Sequence, residues 1–349
     1  MAAGKPTSKD IAKAAGVSTA TVSYVLNETP GKSISRETRE RVLKAAQQLH
    51  YIPNSAAKRL KTKRAYCISI RTGSNISSNE THLSLQGIRS CLNPLGYNML
   101  LSAREMEPQH SMASNYIEQC LNGNADGLIY MSLNGDDIPE EQLYILRKNR
   151  IPFLTIGCME DAADIPSITY DYFAAGYKRV EYLAEKGMRK ILYIRPEFRS
   201  RNEESMEAGF TAAIQKYQGI EAEIRRIEIR NTLAVDYSEG VLVEAEILTP
   251  QIRRYFRELV ETVDSETAVL CDSFEAQNLV MKYFYQEHLK GKKKQKHPWY
   301  ERGCGYIFLY HDTAYSGAKM LIGQIEEKIP VQKFSVKPIL KIYNEAEDN

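Results

Sequence analysis

The stretch TSKDIAKAAGVSTATVSYVL, residues 7–26, constrains the fold more tightly than any other part of the chain. Thr7 followed three residues on by Asp10 makes an N-cap pair: a hydroxyl takes an orphan backbone N–H, and a carboxylate suits the positive end of a helix. Ile11, Ala14 and Ala15 recur at helical spacing. Gly16 supplies the left-handed backbone that stops a first helix. Ser18 caps a second, with Val22, Val25 and Leu26 on its inner face and Thr19, Ala20, Ser23 and Tyr24 facing outward. Two short helices joined by so tight a turn read as a helix-turn-helix, whose second helix enters the major groove with its N-terminal side chains at the base edges. The same pattern taken alone also fits a helical hairpin with a solvated outer face.

The neighbouring residues favour the DNA-binding reading. Residues 35–49 form a third amphipathic helix, capped by Ser35 and striped by Val42, Ala45, Ala46 and Leu49. Then comes YIPNSAAKRLKTKR, residues 51–64, in which Pro53 breaks the chain and Asn54 caps a short basic helix with one large apolar residue, Leu60. The formal charge of +2 hides an asymmetry: residues 1–64 hold 13 Lys/Arg against 4 Asp/Glu, and the other 285 hold 33 against 40. A basic module on a mildly acidic body is the electrostatic pattern of a nucleic-acid-binding head and a separate body.

KDIAKAAGVSTATVSYVLN followed by SRETRERVLKAAQQLHYIPNSAAKRLKTKR closely resembles the DNA-binding headpiece and hinge of the lactose-repressor (LacI/GalR) family. That resemblance implies an all-α helix-turn-helix head at 1–53, a hinge helix at 54–64, and a periplasmic-binding-protein-like effector body at 65–345. It makes Thr19, Ala20 and Tyr24 the base-reading positions. The third position often carries Arg or His in the family; Tyr24 offers one hydroxyl and an aromatic edge instead. Geometry assigns Thr21, Ser23 and Asn27 to phosphates. A lone leucine on a basic helix is commonly a packing residue, but after PNSAAKR the position of Leu60 matches the family's minor-groove wedge, with Lys58 and Arg59 on the flanking phosphates.

From residue 65 onward, predicted strands and helices alternate: strands at 65–70, 98–102, 126–132, 152–157, 190–194, 223–229 and 266–271 with a short extended piece at 168–170, helices at 83–97, 112–123, 139–149, 172–186, 201–217, 249–263, 274–288 and 313–328. Alternation of this kind builds parallel sheets covered by helices on both faces. The order resembles the family's body of two doubly wound parallel-sheet subdomains with a ligand cleft between them. On that resemblance the first subdomain takes about 65–166 plus 306–328, and the second about 167–305 plus 329–345. The last third departs from the family pattern. GKKKQKHPWYERGCGYIFLYHD, residues 291–312, replaces a strand, an acidic loop and a long connection, and its lysines read as a solvated loop or a second phosphate patch.

For the effector, Arg201 resembles the family's ligand-contacting arginine before A-G-F, and Asp272 or Ser273 stands at a strand end, the usual binding edge of such sheets. A surface salt bridge or a helix cap fits Arg201 and Asp272 as well. Gly157-Cys158 replaces the Asp-Arg that often supplies a sugar-binding carboxylate. No G-x-S-x-G elbow, P-loop, G-x-G-x-x-G after a strand or H-E-x-x-H occurs, so no catalytic residue is assigned. The six cysteines lack a CxxC pair, and neither a metal site nor a cofactor is expected. No apolar run approaches the roughly 20 residues that span a bilayer, and the N-terminus lacks the apolar core of a secretory signal. The expectation is a cytoplasmic, homodimeric transcriptional repressor binding double-stranded operator DNA and a small-molecule effector such as a sugar. The alternative is a ligand-independent regulator or protein-interaction scaffold with a degenerate cleft.

Overall fold

The computed structural model describes residues 6–26, 31–51, 62–72, 79–103, 115–133, 137–158, 165–197, 200–227, 254–255, 257–259, 263–264, 266–271, 304–327, 329 and 333–342. The chain divides into two units, residues 1–65 and 66–349. In the first, helices α1 (Ser8–Ala15), α2 (Thr19–Leu26) and α3 (Arg36–Gln48) enclose Ile11, Ala12, Ala15, Val22, Val25, Val42 and Ala45. The buried alanines of α1 are Ala12 and Ala15, whereas Ala14, read as part of the apolar face, is exposed. Val17, Leu26, Ile34, Ala46, Leu49 and Tyr51 close the rim of this small core.

The second unit opens with β1 (Cys67–Thr72), α4 (Asn79–Leu92), β2 (Asn98–Ala103), α5 (Asn115–Leu121), β3 (Gly127–Met131), α6 (Glu140–Lys148), β4 (Phe153–Ile156) and β5 (Ser167–Tyr170). It continues with α7 (Tyr172–Glu185), β6 (Lys190–Pro196), α8 (Arg201–Lys216), β7 (Glu221–Ile227) and β8 (Thr267–Cys271). Last come β9 (Cys304–Ile307), α9 (Tyr310–Glu326), β10 (Lys333–Val336) and β11 (Ile339–Ile342). Among the described residues, one sheet runs β10-β5-β4-β3-β1-β2, all parallel, and a second runs β7-β6-β8, also parallel.

Because side chains alternate across a strand, the first sheet builds two cores. Ile68, Ile70, Ile129, Met131, Leu154 and Ile156 meet Ile88 and Leu92 of α4 and Ala318 and Leu321 of α9. On the other face Leu128, Tyr130 and Phe153 meet Tyr116, Ile117, Leu143 and Leu146 of α5 and α6. The core of the second sheet joins Ile191, Tyr193, Val269 and Leu270 to Val180, Leu183, Phe210 and Ala213 of α7 and α8.

The first sheet reaches past the boundary expected at 166. Ser167–Tyr170 pairs with β4, and Lys333–Val336 returns to pair with Ser167–Tyr170. The stretch FSVKPILKI, residues 334–342, expected wholly in the second subdomain, is divided between two strands: β10 extends the first sheet, and β11 pairs antiparallel with β9. The last helix starts at Tyr310, three residues earlier than its pattern suggests, and β7 starts at Glu221, two residues earlier.

Candidate nucleic-acid interface and effector cleft

The entry to α1 is held by Asp10, whose Oδ2 accepts from the Thr7 N–H and the Thr7 hydroxyl, each at 2.7 Å. These bonds, the hydroxyl first, hold the Asp10 carboxyl below its ordinary range. Gly16 ends the helix at φ 64°, ψ 39°. Ser18 Oγ then accepts from the Thr21 N–H at 3.1 Å and lies 2.9 Å from the Thr21 hydroxyl, fixing the start of α2. Ser35 caps α3 in the same way through the Thr38 N–H, at 3.2 Å.

Val22 and Val25 lock one face of α2 into the head core and leave Thr19 and Ala20 exposed. Thr21, Ser23 and Tyr24 are half-buried, so Ser23 and Tyr24 are less open than the outward face read from the pattern. The Lys32 ammonium, from the segment between α2 and α3, lies over the Tyr24 ring, 5.3 Å from its centroid. Asn27, Asn54, Lys58, Arg59 and Leu60 lie outside the described residues.

In the body, the turn after β3 meets the start of α8. The α8 terminus is capped by Ser200, which accepts from the Glu203 N–H at 3.2 Å and donates its own N–H to Glu203 Oε2 at 2.9 Å. Arg201, the first residue of α8, pairs with Asp137. Asn202, 4% exposed, donates from Nδ2 to the Leu133 carbonyl at 2.7 Å. Two buried acceptors beside these bonds, Asp137 Oδ1 and Asn202 Oδ1, have no hydrogen-bond donor among the described residues. The Tyr130 hydroxyl donates to the Asp137 carbonyl at 3.3 Å. Arg71, near the end of β1, covers the Tyr130 ring at 4.4 Å and donates to the Met131 carbonyl at 3.1 Å.

Arg201 thus has the salt bridge that its sequence equally allowed, and its partner comes from the turn beyond β3. Asp272 and Ser273 lie outside the described residues. The residue just before them, Cys271, accepts at its carbonyl from Nη1 of the buried Arg179, at 2.9 Å. Pattern reading missed Asp137 and Asn202. Asp137 sits in an acidic turn indistinguishable from a solvated one, and an asparagine next to Arg201 carries no periodic signal.

The Gly157-Cys158 departure has a backbone cause. Gly157 has φ 84°, a Cβ there would lie 2.5 Å from the Ser132 carbonyl oxygen, and Cys158 is fully buried. A groove of about 430 Å³ runs along α8, lined by residues including Arg195, Glu207, Thr211 and Gln215, and includes neither Arg201 nor Asn202. Its arginine is 1% exposed and pairs with Glu207, which Arg226 also contacts at 2.8 Å. Burial pushes the Cys120 thiol up to about 12.

Residues 7–54 match the family profile "Bacterial regulatory proteins, lacI family", and residues 83–235 match "Periplasmic binding proteins and sugar binding domain of LacI family". The chain is 35% identical over 181 residues to the HTH-type transcriptional regulator RegA of Clostridium acetobutylicum, covering 51% of this chain and 52% of that protein. It is 31% identical over 212 residues to the HTH-type transcriptional repressor PurR of Klebsiella pneumoniae, covering 60% of each. The chain therefore spans between half and three fifths of the length of these curated relatives. Its fold is like that of the lac repressor dimer bound to operator and the anti-inducer ONPF, with TM-score 0.69 and 18% identity over 97% of this chain and 99% of that one. The CelR–cellobiose complex aligns with TM-score 0.55 and 18% identity, over 97% and 98%. Among the described residues no helix is long and apolar enough to cross a membrane. With a capped helix-turn-helix head, two parallel α/β sheets and both profiles matched in the same order, the chain belongs to the lactose-repressor (LacI/GalR) family.

Proposed function

We propose that this chain is a sequence-specific transcriptional regulator of the repressor type, whose operator affinity is set by a small-molecule effector. The observation that carries this reading is the capped α2: its apolar face is buried while Thr19 and Ala20 stand exposed at its N-terminus. That is the geometry in which a recognition helix offers base-reading side chains and its terminal amides to DNA. Thr19, Ala20 and Tyr24 read bases, Thr21, Ser23 and Asn27 hold phosphates, Asn54 caps the hinge, and Leu60 wedges into the minor groove between Lys58 and Arg59.

The protein acts as a homodimer on a pseudo-palindromic site, as the solved lac repressor is a dimer on operator. It does so in the cytoplasm. It is a binding protein rather than an enzyme, in keeping with relatives named as a transcriptional regulator and a transcriptional repressor.

The effector lies between the turn after β3 and the start of α8, against Arg201, Asn202 and Asp137, with Asp272 and Ser273 completing the site. Two buried acceptors without donors among the described residues, Asp137 Oδ1 and Asn202 Oδ1, call for a ligand rich in hydroxyl donors. A sugar fits, as in the CelR–cellobiose structure. A second reading is favoured by the Arg201–Asp137 pair itself: a ligand-independent regulator in which this contact stands in for an effector.

Selection of bound sequences from random DNA, with and without pooled sugars, tests both. Enrichment of a palindrome that shifts with a sugar supports the first reading. A palindrome indifferent to every ligand supports the second, and no enrichment refutes the DNA-binding reading. Leu60→Ala should lose affinity for the operator but little for random DNA; equal losses would remove the wedge.

A further inference from the structure

We propose that Lys32 is a positioning residue for DNA sequence reading, acting by holding the Tyr24 ring. This rests on the DNA-binding reading above and adds to it. A phenolic hydroxyl is both donor and acceptor and rotates freely about its C–O bond. Left to itself it can pair with guanine N7 or O6, adenine N7, thymine O4 or the amino groups of adenine and cytosine. Tyrosine at a reading position therefore discriminates more sharply when something outside the DNA fixes the ring, because the direction of approach then decides which base-edge atoms the oxygen reaches.

The head supplies such a restraint. Tyr24 is half-buried on α2, and the Lys32 ammonium stands over its face at 5.3 Å, inside the roughly 6 Å range of a cation–π contact. Lys32 is exposed and, among the described residues, forms no ion pair. Its remaining N–H donors can therefore take a phosphate while the ring is held. One side chain would then couple the register of the backbone to the orientation of the reader.

The test uses the full-length protein and its selected operator. Tyr24→Ala first identifies the base pair that Tyr24 reads, as the position where preference relaxes. Binding of Lys32→Ala, Lys32→Met and Lys32→Arg is then measured by fluorescence anisotropy on the operator and on the three single-base variants at that position. Lys32→Ala and Lys32→Met should reduce discrimination there by roughly two- to five-fold, the size of an exposed cation–π contact. Other positions should keep their preferences, Lys32→Arg should restore discrimination, and in a Tyr24→Ala background Lys32→Ala should change none.

Equal weakening on all four sites would make Lys32 a phosphate contact only and overturn the proposal, as would unchanged binding or failure of Lys32→Arg to rescue. If Tyr24→Ala relaxes no position, the base-reading role of Tyr24 falls and the Lys32 assignment with it. If Tyr24→Ala relaxes one and Lys32→Ala does not, only the Lys32 assignment falls.

Discussion

Replacing Gly209 by alanine should force α7 and α8 apart and destabilise the body by about 2 kcal/mol. A Cβ at Gly209 would lie 2.0 Å from the Phe173 carbonyl oxygen and 2.8 Å from its carbon. Both are helix backbone and cannot swing aside, so the helices must separate by about 1 Å to bring the contact to 3.0 Å. Gly176 is placed reciprocally: a Cβ there would lie 2.0 Å from the Met206 carbonyl oxygen. Overpacking of this kind costs about 1–3 kcal/mol; a rigid backbone clash belongs at the upper end, and the better helix propensity of alanine returns about 1 kcal/mol.

The core around this crossing, including Ala175, Met206 and the Tyr193–Phe210 stack at 4.6 Å, loses close contact as the helices part. With a urea slope on the order of 3 kcal/mol/M, the midpoint should fall by roughly 0.7 M in an equilibrium unfolding curve followed by circular dichroism. Because the N-terminus of the displaced α8 carries Arg201 and Asn202, any effector response should weaken too. Gly176→Ala combined with Gly209→Ala should cost less than the two separately, since one separation relieves both clashes. An unchanged or raised midpoint for Gly209→Ala would refute the reasoning.

Other perturbations have equally definite outcomes. Ser18→Ala removes the bond to the Thr21 N–H that starts α2, and should cost about 0.5–2 kcal/mol of head stability in a thermal melt; no loss would mean the cap is idle. Asn202→Ala leaves the half-buried Leu133 carbonyl without its donor and should destabilise the body by about 1 kcal/mol in urea unfolding. Asp171 caps α7 through the Ala174 N–H at 2.8 Å and pairs with Lys337. Burial alone would raise its carboxyl, but the Lys337 and Ala174 bonds outweigh it and hold the carboxyl below its ordinary value of 3.8. Its contribution is therefore fully present above that value and is lost as pH falls through the depressed one. The stability gap between wild type and Asp171→Asn should accordingly be constant from pH 5 to 7 and shrink below about pH 4; a gap that grows on acidification would contradict this. Operator binding should weaken steeply with salt as phosphates release counterions, and a flat response would contradict the phosphate contacts.

The head was legible in the sequence because its structure is local. Thr7 with Asp10, Gly16, Ser18 and Ser35 act on backbone groups within four residues of themselves, and each makes the turn or cap that its residue type dictates. The alternation of strands and helices in the body was legible for the same reason: a buried parallel strand must be a short apolar run, and Gly127–Met131 and Thr267–Cys271 are such runs. What a strand pairs with is not local. Ser167–Tyr170 and Lys333–Val336 lie some 160 residues apart, and only the packed sheet decides that they are neighbours. The candidate cleft is of this second kind. Arg201 could be named from its sequence, but Asp137 and Leu133 reach it from another sheet, and the orphaned acceptors of Asp137 and Asn202 exist only once both are buried. Gly176 and Gly209 likewise look like any helical glycines until two backbones cross at them, because steric necessity is a property of the neighbour and not of the residue.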